Sequence, residues 1–331
     1  MPQKQIKALV TGGAGFIGSH LCEALLDLGF SVTAVDNFAT ASKSNIRHLL
    51  KTHRSFKFYK GSVMNPALME RLIRSCDIVY HLAAAVGIIY ILDHPIDSIL
   101  TNVKGTEIVL KLASKYRKKV LITSSSEVYG KQPPSPIREE DDRILGSTST
   151  SRWSYSDSKA TDEFLALAYA TEKKLPVVIV RLFNVVGPRQ VGNYGMVLPR
   201  FIEEALSNKP ITVFGDGSQI RSFCYVTDAV RAIVDLSLSE KACGKTFNIG
   251  SDESLSIKQL AYKIKQKTRS RSKIVYISYE KFYGEHFEDV TFRAPDLSRI
   301  RATIRYQSRY GIDQIIDETV AYFQRRTEKR K

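Results

Sequence analysis

A run of glycines between a β-branched strand and a helix limits what this chain can fold into more than any other feature. Ile6 to Val10 reads as a buried strand and leads directly into Thr11-Gly12-Gly13-Ala14-Gly15-Phe16-Ile17-Gly18, after which Ser19 to Leu28 has the apolar spacing of a helix. Gly12, Gly15 and Gly18 therefore stand three apart at a strand-to-helix turn. There the first glycine permits a tight reversal, the second lets the backbone approach a pyrophosphate, and the third lets helix pack on strand, with the anion facing the helix N-terminus beside Phe16 and Ile17. The second strand, Ser31 to Val35, ends at Asp36, where a carboxylate can accept from both hydroxyls of a ribose. Asp36 would repel a 2′-phosphate, and its neighbours Asn37 and Phe38 offer no arginine to hold one, so the segment predicts NAD rather than NADP.

The same alternation continues. Phe56 to Tyr59, Ile78 to Leu82 and Val120 to Thr123 read as strands separated by helical patterns, and Val177 to Leu182 follows a helical stretch from Tyr155 to Glu172. Consecutive βαβ units with right-handed crossovers build a parallel sheet covered on both faces, so the expected fold class is α/β, a Rossmann-type doubly wound sheet. After Gly187 the pattern loosens, with Pro188, Gly192, Gly195, Pro199 and Pro210 punctuating shorter elements. We expect residues 1–186 to form the NAD-binding domain, with about 223–250 returning to it, and 187–331 to form mainly a smaller substrate lobe. At 331 residues and 43% hydrophobic content, both can be well buried.

Composition removes several classes of function. Cys22, Cys76, Cys224 and Cys243 lack paired spacing, and the six histidines are dispersed, so neither a disulfide framework nor a metal site is expected. Apolar runs such as Leu175 to Leu182 are too short to cross a bilayer, and Met1 to Lys7 lacks a signal-peptide core, which predicts a cytoplasmic protein without a membrane partner. The net charge of +15 raises the question of nucleic acid. Basic residues are dense only at Arg269 to Lys273 and Arg325 to Lys331; the latter reads as a solvated tail, and no nucleic-acid motif accompanies it. The positive field suits a diphosphate instead.

Tyr155 and Lys159, four apart on a helix, project from one face. An ammonium beside a phenol lowers its pKa from about 10, which would make Tyr155 a base near neutral pH. Strand Val120 to Thr123 ends in Ser124-Ser125-Ser126-Glu127-Val128-Tyr129-Gly130, at the sheet edge where ligands bind in such folds. Leu82, Ala83 and Ala84 end the fourth strand at that edge, and Asn102 lies in the next helix.

Together with Arg181-Leu182-Phe183-Asn184, Gly187-Pro188-Arg189 and Gly215 through Arg221 to Asp228, these residues resemble the extended short-chain dehydrogenase/reductases of the NAD-dependent epimerase/dehydratase group over essentially the whole chain. The resemblance implies a nucleotide-sugar substrate, UDP-linked by similarity alone, and a first step in which Tyr155 removes the sugar 4-hydroxyl proton while C4 is oxidised by NAD. Ser125 would orient that hydroxyl, and Lys159 would hold Tyr155 and the nicotinamide ribose. Ser62, in Gly61-Ser62-Val63, stands where the family often has an acidic residue near the adenine; Ser124 would border the nicotinamide. Asn184, Val197, Phe214, Arg221 and Arg293 are the expected substrate contacts, and a homodimer through the helix after Asn102 and the Tyr155 helix is the expected assembly.

Epimerisation, dehydration and decarboxylation all remain open from the 4-keto sugar. Glu127 is the discriminating position, since epimerases of the group commonly place a small residue there. The dehydratase aspartate that usually precedes it is Ser126 here. Ser-Glu-Val-Tyr-Gly and Arg152-Trp153-Ser154-Tyr155 look most like UDP-glucuronate decarboxylases, although the loop Val191 to Val197 also resembles epimerases. A silent NAD-binding sensor is the non-enzyme alternative, and the retention of Ser125, Tyr155 and Lys159 opposes it.

Overall fold

Alternating apolar residues in the first strand set the architecture. Of Lys7–Thr11, Ala8 and Val10 turn to one face of the sheet and Leu9 to the other, and all three are buried. A strand buried on both faces needs a covering layer on each. Helices Phe16–Asp27 and Val226–Leu238 supply one through Leu21, Leu25, Ile233 and Leu236. Helices Pro66–Arg74, Pro95–Lys115 and Trp153–Lys173 supply the other through Met69, Val109, Leu110 and Ala166.

The computed structural model describes residues 5–192, 196–283 and 289–328. Its central sheet has seven strands in the order Lys245–Ile249, Val177–Leu182, Lys119–Ser125, Ile78–His81, Lys7–Thr11, Ser31–Asp36, Phe56–Lys60, every neighbouring pair parallel. This is the doubly wound α/β fold the sequence predicts. The strand order reverses between Lys7–Thr11 and Ile78–His81, which opens a crevice at their C-terminal ends. The strand Lys245–Ile249 joins the edge of this sheet, pairing Phe247 with Val180.

A separate apolar cluster holds the smaller lobe. Leu198, Phe201 and Ile202 of helix Val197–Leu206 pack with Leu260 and Ile264 of helix Ile257–Lys267 and with Ile315, Ile316 and Phe323 of helix Ile312–Glu328. Beside it, strand Ile220–Ser222 pairs with Ser254–Ser256 and with Phe292–Arg293, in a register that sets Arg221 opposite Arg293. The sequence gives little warning of this three-stranded sheet, because its strands are only two or three residues long.

The glycine turn is as tight as its spacing implies. Gly12 has φ +69°, and a Cβ there would meet Ala83 N at 2.9 Å; a Cβ at Gly18 would lie 2.1 Å from Gly12 O. Gly18→Ala is therefore expected to push helix Phe16–Asp27 off the turn and destabilise the protein by about 1–3 kcal/mol. Thermal unfolding of the purified variant checks this, and an unchanged Tm would show that the turn has slack.

Candidate active site

One cavity of about 710 Å³ runs along the crevice, a volume suited to an extended small-molecule ligand. Its wall includes Gly12, Gly15, Phe16, Ile17 and Gly18 from the first turn, with Asp36, Asn37 and Ser62 at the ends of the second and third strands. Leu82, Ala83, Ala84 and Ser124 line it from the neighbouring strands. Helix Phe16–Asp27 begins there at Gly15 with no side-chain cap and no acidic residue in its first turn, which leaves a helix N-terminus open to an anion. Asp36 accepts from Phe38 N–H at 2.8 Å and Ala14 N–H at 3.1 Å. Burial raises its pKa, and those backbone donors pull it back.

Two buried residues stiffen this end from behind. His81 bridges Thr11 Oγ1 at 2.8 Å and Thr106 Oγ1 at 3.1 Å. Burial first, and then the charge of Lys159, push its pKa down to about 3, so it stays neutral. Asn102 is set one layer behind the cavity rather than on its wall. Its Oδ1 accepts from Ala85 N–H at 2.8 Å and its Nδ2 donates to Ser158 Oγ at 3.0 Å, so it positions the lining segment.

At the other end, Ser125, Ser126, Glu127, Tyr155 and Lys159 share the wall with Asn184, Val197, Phe214, Arg221 and Arg293. The short turn Ser126–Tyr129 follows the fifth strand at once, with Ser125 Oγ accepting from Glu127 N–H at 3.2 Å. This bond aims Glu127 back over the strand end. Asn184 holds a backbone φ of +31° and donates from Nδ2 to Ser222 O at 2.8 Å, joining the sheet edge to the strand that carries Arg221. In the loop from Val191 to Val197, residues 193–195 lie outside the described residues.

The phenol departs from the sequence expectation. Burial, followed by the negative charge of Glu127, raises the Tyr155 pKa above its ordinary value, and the hydrogen bond with Ser125 only partly offsets this. The spacing predicts a phenol lowered by Lys159, but the Lys159 ammonium is committed to Asp162, with Nζ 2.7 Å from Oδ2 inside the protein. Asp162 carries no motif signal beyond its position one turn after the lysine.

Glu127 sits in a cluster of buried charges. Arg293 Nη1 donates to Glu127 Oε1 at 2.6 Å and Arg152 Nη2 reaches Oε2 at 3.5 Å. Asp289 Oδ1 accepts from Arg152 Nη1 at 3.0 Å and from Arg221 Nη2 at 3.2 Å, while its Oδ2 accepts from Tyr279. Burial alone would raise the Glu127 pKa, yet the arginines outweigh it and hold the carboxyl down to about 2. Arg221 goes the other way. Burial and the neighbouring Arg293 push it down to about 10, against the attraction of Asp289 and Glu127. The Nε and Nη2 of Arg293 have no hydrogen-bond partner among the described residues. Neither Arg152 nor Asp289 stands among the residues expected from sequence, although Arg152 opens the motif that contains Tyr155.

A second expectation is corrected where helix Ile312–Glu328 meets the cavity. The basic C-terminal stretch reads as a solvated tail, but Arg326 and Tyr322 of helix Ile312–Glu328 are part of the cavity wall, together with Phe214 and Arg200. The Arg200 guanidinium lies 4.5 Å from the centre of the Phe214 ring. The last residues, 329–331, are outside the described residues.

A doubly wound sheet whose glycine turn, strand-end aspartate and tyrosine–lysine helix converge on one cavity defines an extended short-chain dehydrogenase/reductase. Within that class the chain belongs to the NAD dependent epimerase/dehydratase family, which matches residues 8–250. It is therefore one of a family of NAD-dependent enzymes that modify nucleotide sugars. It is 42% identical over 318 residues to the UDP-N-acetyl-alpha-D-glucosaminuronate decarboxylase of Bacillus cytotoxicus, covering 96% of this chain and 97% of that one. It is 34% identical to the UDP-glucuronic acid decarboxylase 1 of Danio rerio, over 97% of this chain and 73% of the relative. Among solved structures, the UDP-glucuronic acid 4-epimerase of Bacillus cereus in complex with UDP-glucuronic acid and NAD superimposes with a TM-score of 0.86 at 29% identity, covering 97% and 99% of the two chains. Among the described residues, no helix is long and apolar enough to cross a membrane.

Proposed function

We propose that this protein decarboxylates a UDP-linked hexuronate, with N-acetylglucosaminuronate as the first substrate to test, and that it does so with NAD. The observation that carries the reading is the cluster of Arg152, Arg221 and Arg293 around Glu127 beside Tyr155. Three buried guanidiniums on one cavity wall suit a substrate that carries a carboxylate as well as a diphosphate. The curated relatives are decarboxylases by name, which supports the same choice.

Ser126 weighs against dehydration. A leaving hydroxyl needs a general acid to protonate it, and the aspartate that would serve stands as a serine here. NAD would be held by the Gly12–Gly18 turn and Asp36, and when bound it supplies a reversible acceptor for the hydrogen on C4. In this reading Tyr155 Oη takes the proton of the 4-hydroxyl, which Ser125 Oγ orients. Lys159, one helical turn on, is the cation placed to lower the phenol when its ammonium leaves Asp162. The resulting β-keto acid loses CO2 as its electron pair passes into the C4 carbonyl, whose oxygen Tyr155 protonates. The diphosphate would lie against Arg221 and Arg293, and the uridine beside Val197 and Phe214.

Proton NMR of the protein with NAD and either UDP-N-acetylglucosaminuronate, UDP-glucuronate or UDP-N-acetylglucosamine tests this. A pentose anomeric signal from a uronate supports it. A C4 epimer that keeps its carboxylate would replace it with the 4-epimerase reading, the alternative favoured by the solved neighbour.

The domain division follows the same reading, with residues 1–186 and the returning segment near 223–250 serving the cofactor and the rest mainly the nucleotide sugar. A homodimer is part of it as well. Ile96, Ile99 and Leu100 on helix Pro95–Lys115 and Phe164 on helix Trp153–Lys173 are exposed, Phe164 at 64%, although the two helices pack together. A second copy of the same helix pair would cover them. Phe164→Glu is expected to halve the mass seen by light scattering, and a monomeric wild-type protein would contradict the assembly.

A further inference from the structure

We infer that Asp162 is a positioning residue: it holds the Lys159 ammonium from behind and governs how far that charge reaches Tyr155. The inference rests on the reading of Tyr155 as the base and adds to it a residue behind the cavity wall. Tyr155, Lys159 and Asp162 follow one another along helix Trp153–Lys173 at spacings of four and three, which puts the lysine between the phenol and the carboxylate. Among the described residues, Lys159 Nζ makes one hydrogen bond, donated to Asp162 Oδ2 at 2.7 Å, and both side chains are buried. An ammonium carries three hydrogens, so the others are left for acceptors on the cavity side. The adjacent Glu163 is taken by Arg181, whose Nη2 donates to its Oε2 at 2.6 Å.

Asp162 is steadied in turn by a buried chain that runs back to the cofactor end. Thr11 Oγ1 accepts from Leu82 N–H at 3.2 Å and from Ala83 N–H at 3.1 Å, so its own hydrogen goes to His81 Nδ1 at 2.8 Å. In the neutral His81 ring the remaining hydrogen then sits on Nε2, which donates to Thr106 Oγ1 at 3.1 Å. That leaves the Thr106 hydroxyl to face the Asp162 carboxyl, where it favours the charged form. Burial pushes the Asp162 pKa up, and Lys159 and Thr106 pull it back. Asp162 acts on the phenol directly as well. After burial, the charges of Glu127 and then Asp162 raise the Tyr155 pKa, while the hydrogen bond with Ser125 lowers it. Glu127 is held by Arg152 and Arg293, Glu163 by Arg181, and His81 is neutral, so Asp162 is the charge whose removal bears on lysine and phenol together.

The test pairs the pH profile of kcat/KM for UDP-N-acetylglucosaminuronate, read as released CO2, with an NMR titration of Tyr155 in the cofactor-free protein. Tyrosine labelled with ¹³C at Cζ reports the phenol, and the Tyr155 signal is assigned by its loss in Tyr155→Phe. Asp162→Asn keeps the shape of the side chain and removes its charge. It is expected to move the acid limb of the profile, and the Tyr155 titration with it, to lower pH by about one unit or more, as a freed cation beside a phenol does. A merely structural ion pair would cost stability and leave both midpoints at their wild-type values. That result, or a move to higher pH, overturns the inference. Should Asp162→Asn not fold, Thr106→Val decides, since it takes from the carboxylate the hydroxyl that favours its charge: a smaller move in the same direction supports the inference, and unmoved midpoints overturn it. Tyr155→Phe separates the two levels. Full turnover without the phenol removes the reading of Tyr155 as the base and this inference with it, whereas lost turnover with midpoints untouched by Asp162→Asn removes only the inference. If the wild type releases no CO2, the titration of the cofactor-free protein decides by itself.

Discussion

Tyr155→Phe is expected to lower kcat by roughly 10³-fold while the protein keeps its fold and its affinity for the nucleotide sugar. In the proposed mechanism the phenol hydroxyl exchanges a proton with the C4 oxygen, and Lys159 is paired with Asp162. Removing a single oxygen leaves the packing of helix Trp153–Lys173 intact, because Trp153, Ala160 and Ala166 remain buried. Ser125 Oγ also keeps its bond from Glu127 N–H. The check is steady-state turnover together with nucleotide-sugar binding. A kcat within tenfold of wild type would move the proton transfer to another residue, and a parallel loss of binding would give Tyr155 a structural part.

Glu127→Gln is expected to cost about 3–5 kcal/mol of folding stability, since it leaves Arg293 and Arg152 buried without their shared carboxylate. The pH dependence follows from the sign of the shift. The Glu127 pKa falls from an ordinary 4.5 to about 2 on folding. The stabilisation is then fully present above about 4.5 and is lost as pH falls towards 2, a change on the order of 3 kcal/mol. Wild-type protein should lose stability over that window more steeply than Glu127→Gln, which has no carboxyl to protonate there. Denaturant unfolding at pH 7, 4 and 3 measures both effects. Parallel acid limbs for the two proteins would show that the cluster is not the source.

The cofactor end was legible because its signal is local. Gly12, Gly15, Gly18 and Asp36 lie within one βαβ unit, and strand period and turn chemistry fix their places together. The reacting end was legible only in part. Ser125, Glu127 and Tyr155 follow from a strand end and a helix spacing, but what governs their charges comes from far along the chain. Arg152 and Asp289 are 137 positions apart, and Arg293 reaches Glu127 across 166. Asp289 lies after a segment with no periodicity to announce it, and Arg293 sits on a two-residue strand. The expectation of a lowered Tyr155 phenol failed for the same reason: helix spacing places Lys159 near it, but cannot show that Asp162 claims the ammonium or that Glu127 adds an opposing charge. The tail misled in the same way, since charge density does not tell that Arg326 turns back to the cavity.

Whether a uronate loses its carboxylate here is decided by following a ¹³C label at C6 of UDP-N-acetylglucosaminuronate through turnover with NAD in D2O. Decarboxylation predicts the label in bicarbonate and one deuterium at C5 of the pentose product, because the carbon that loses CO2 must take a proton from solvent or a side chain in exchange with it. Label retained at C6 of a C4-inverted sugar, with no deuterium at C5, would rule out decarboxylation and make the protein an epimerase.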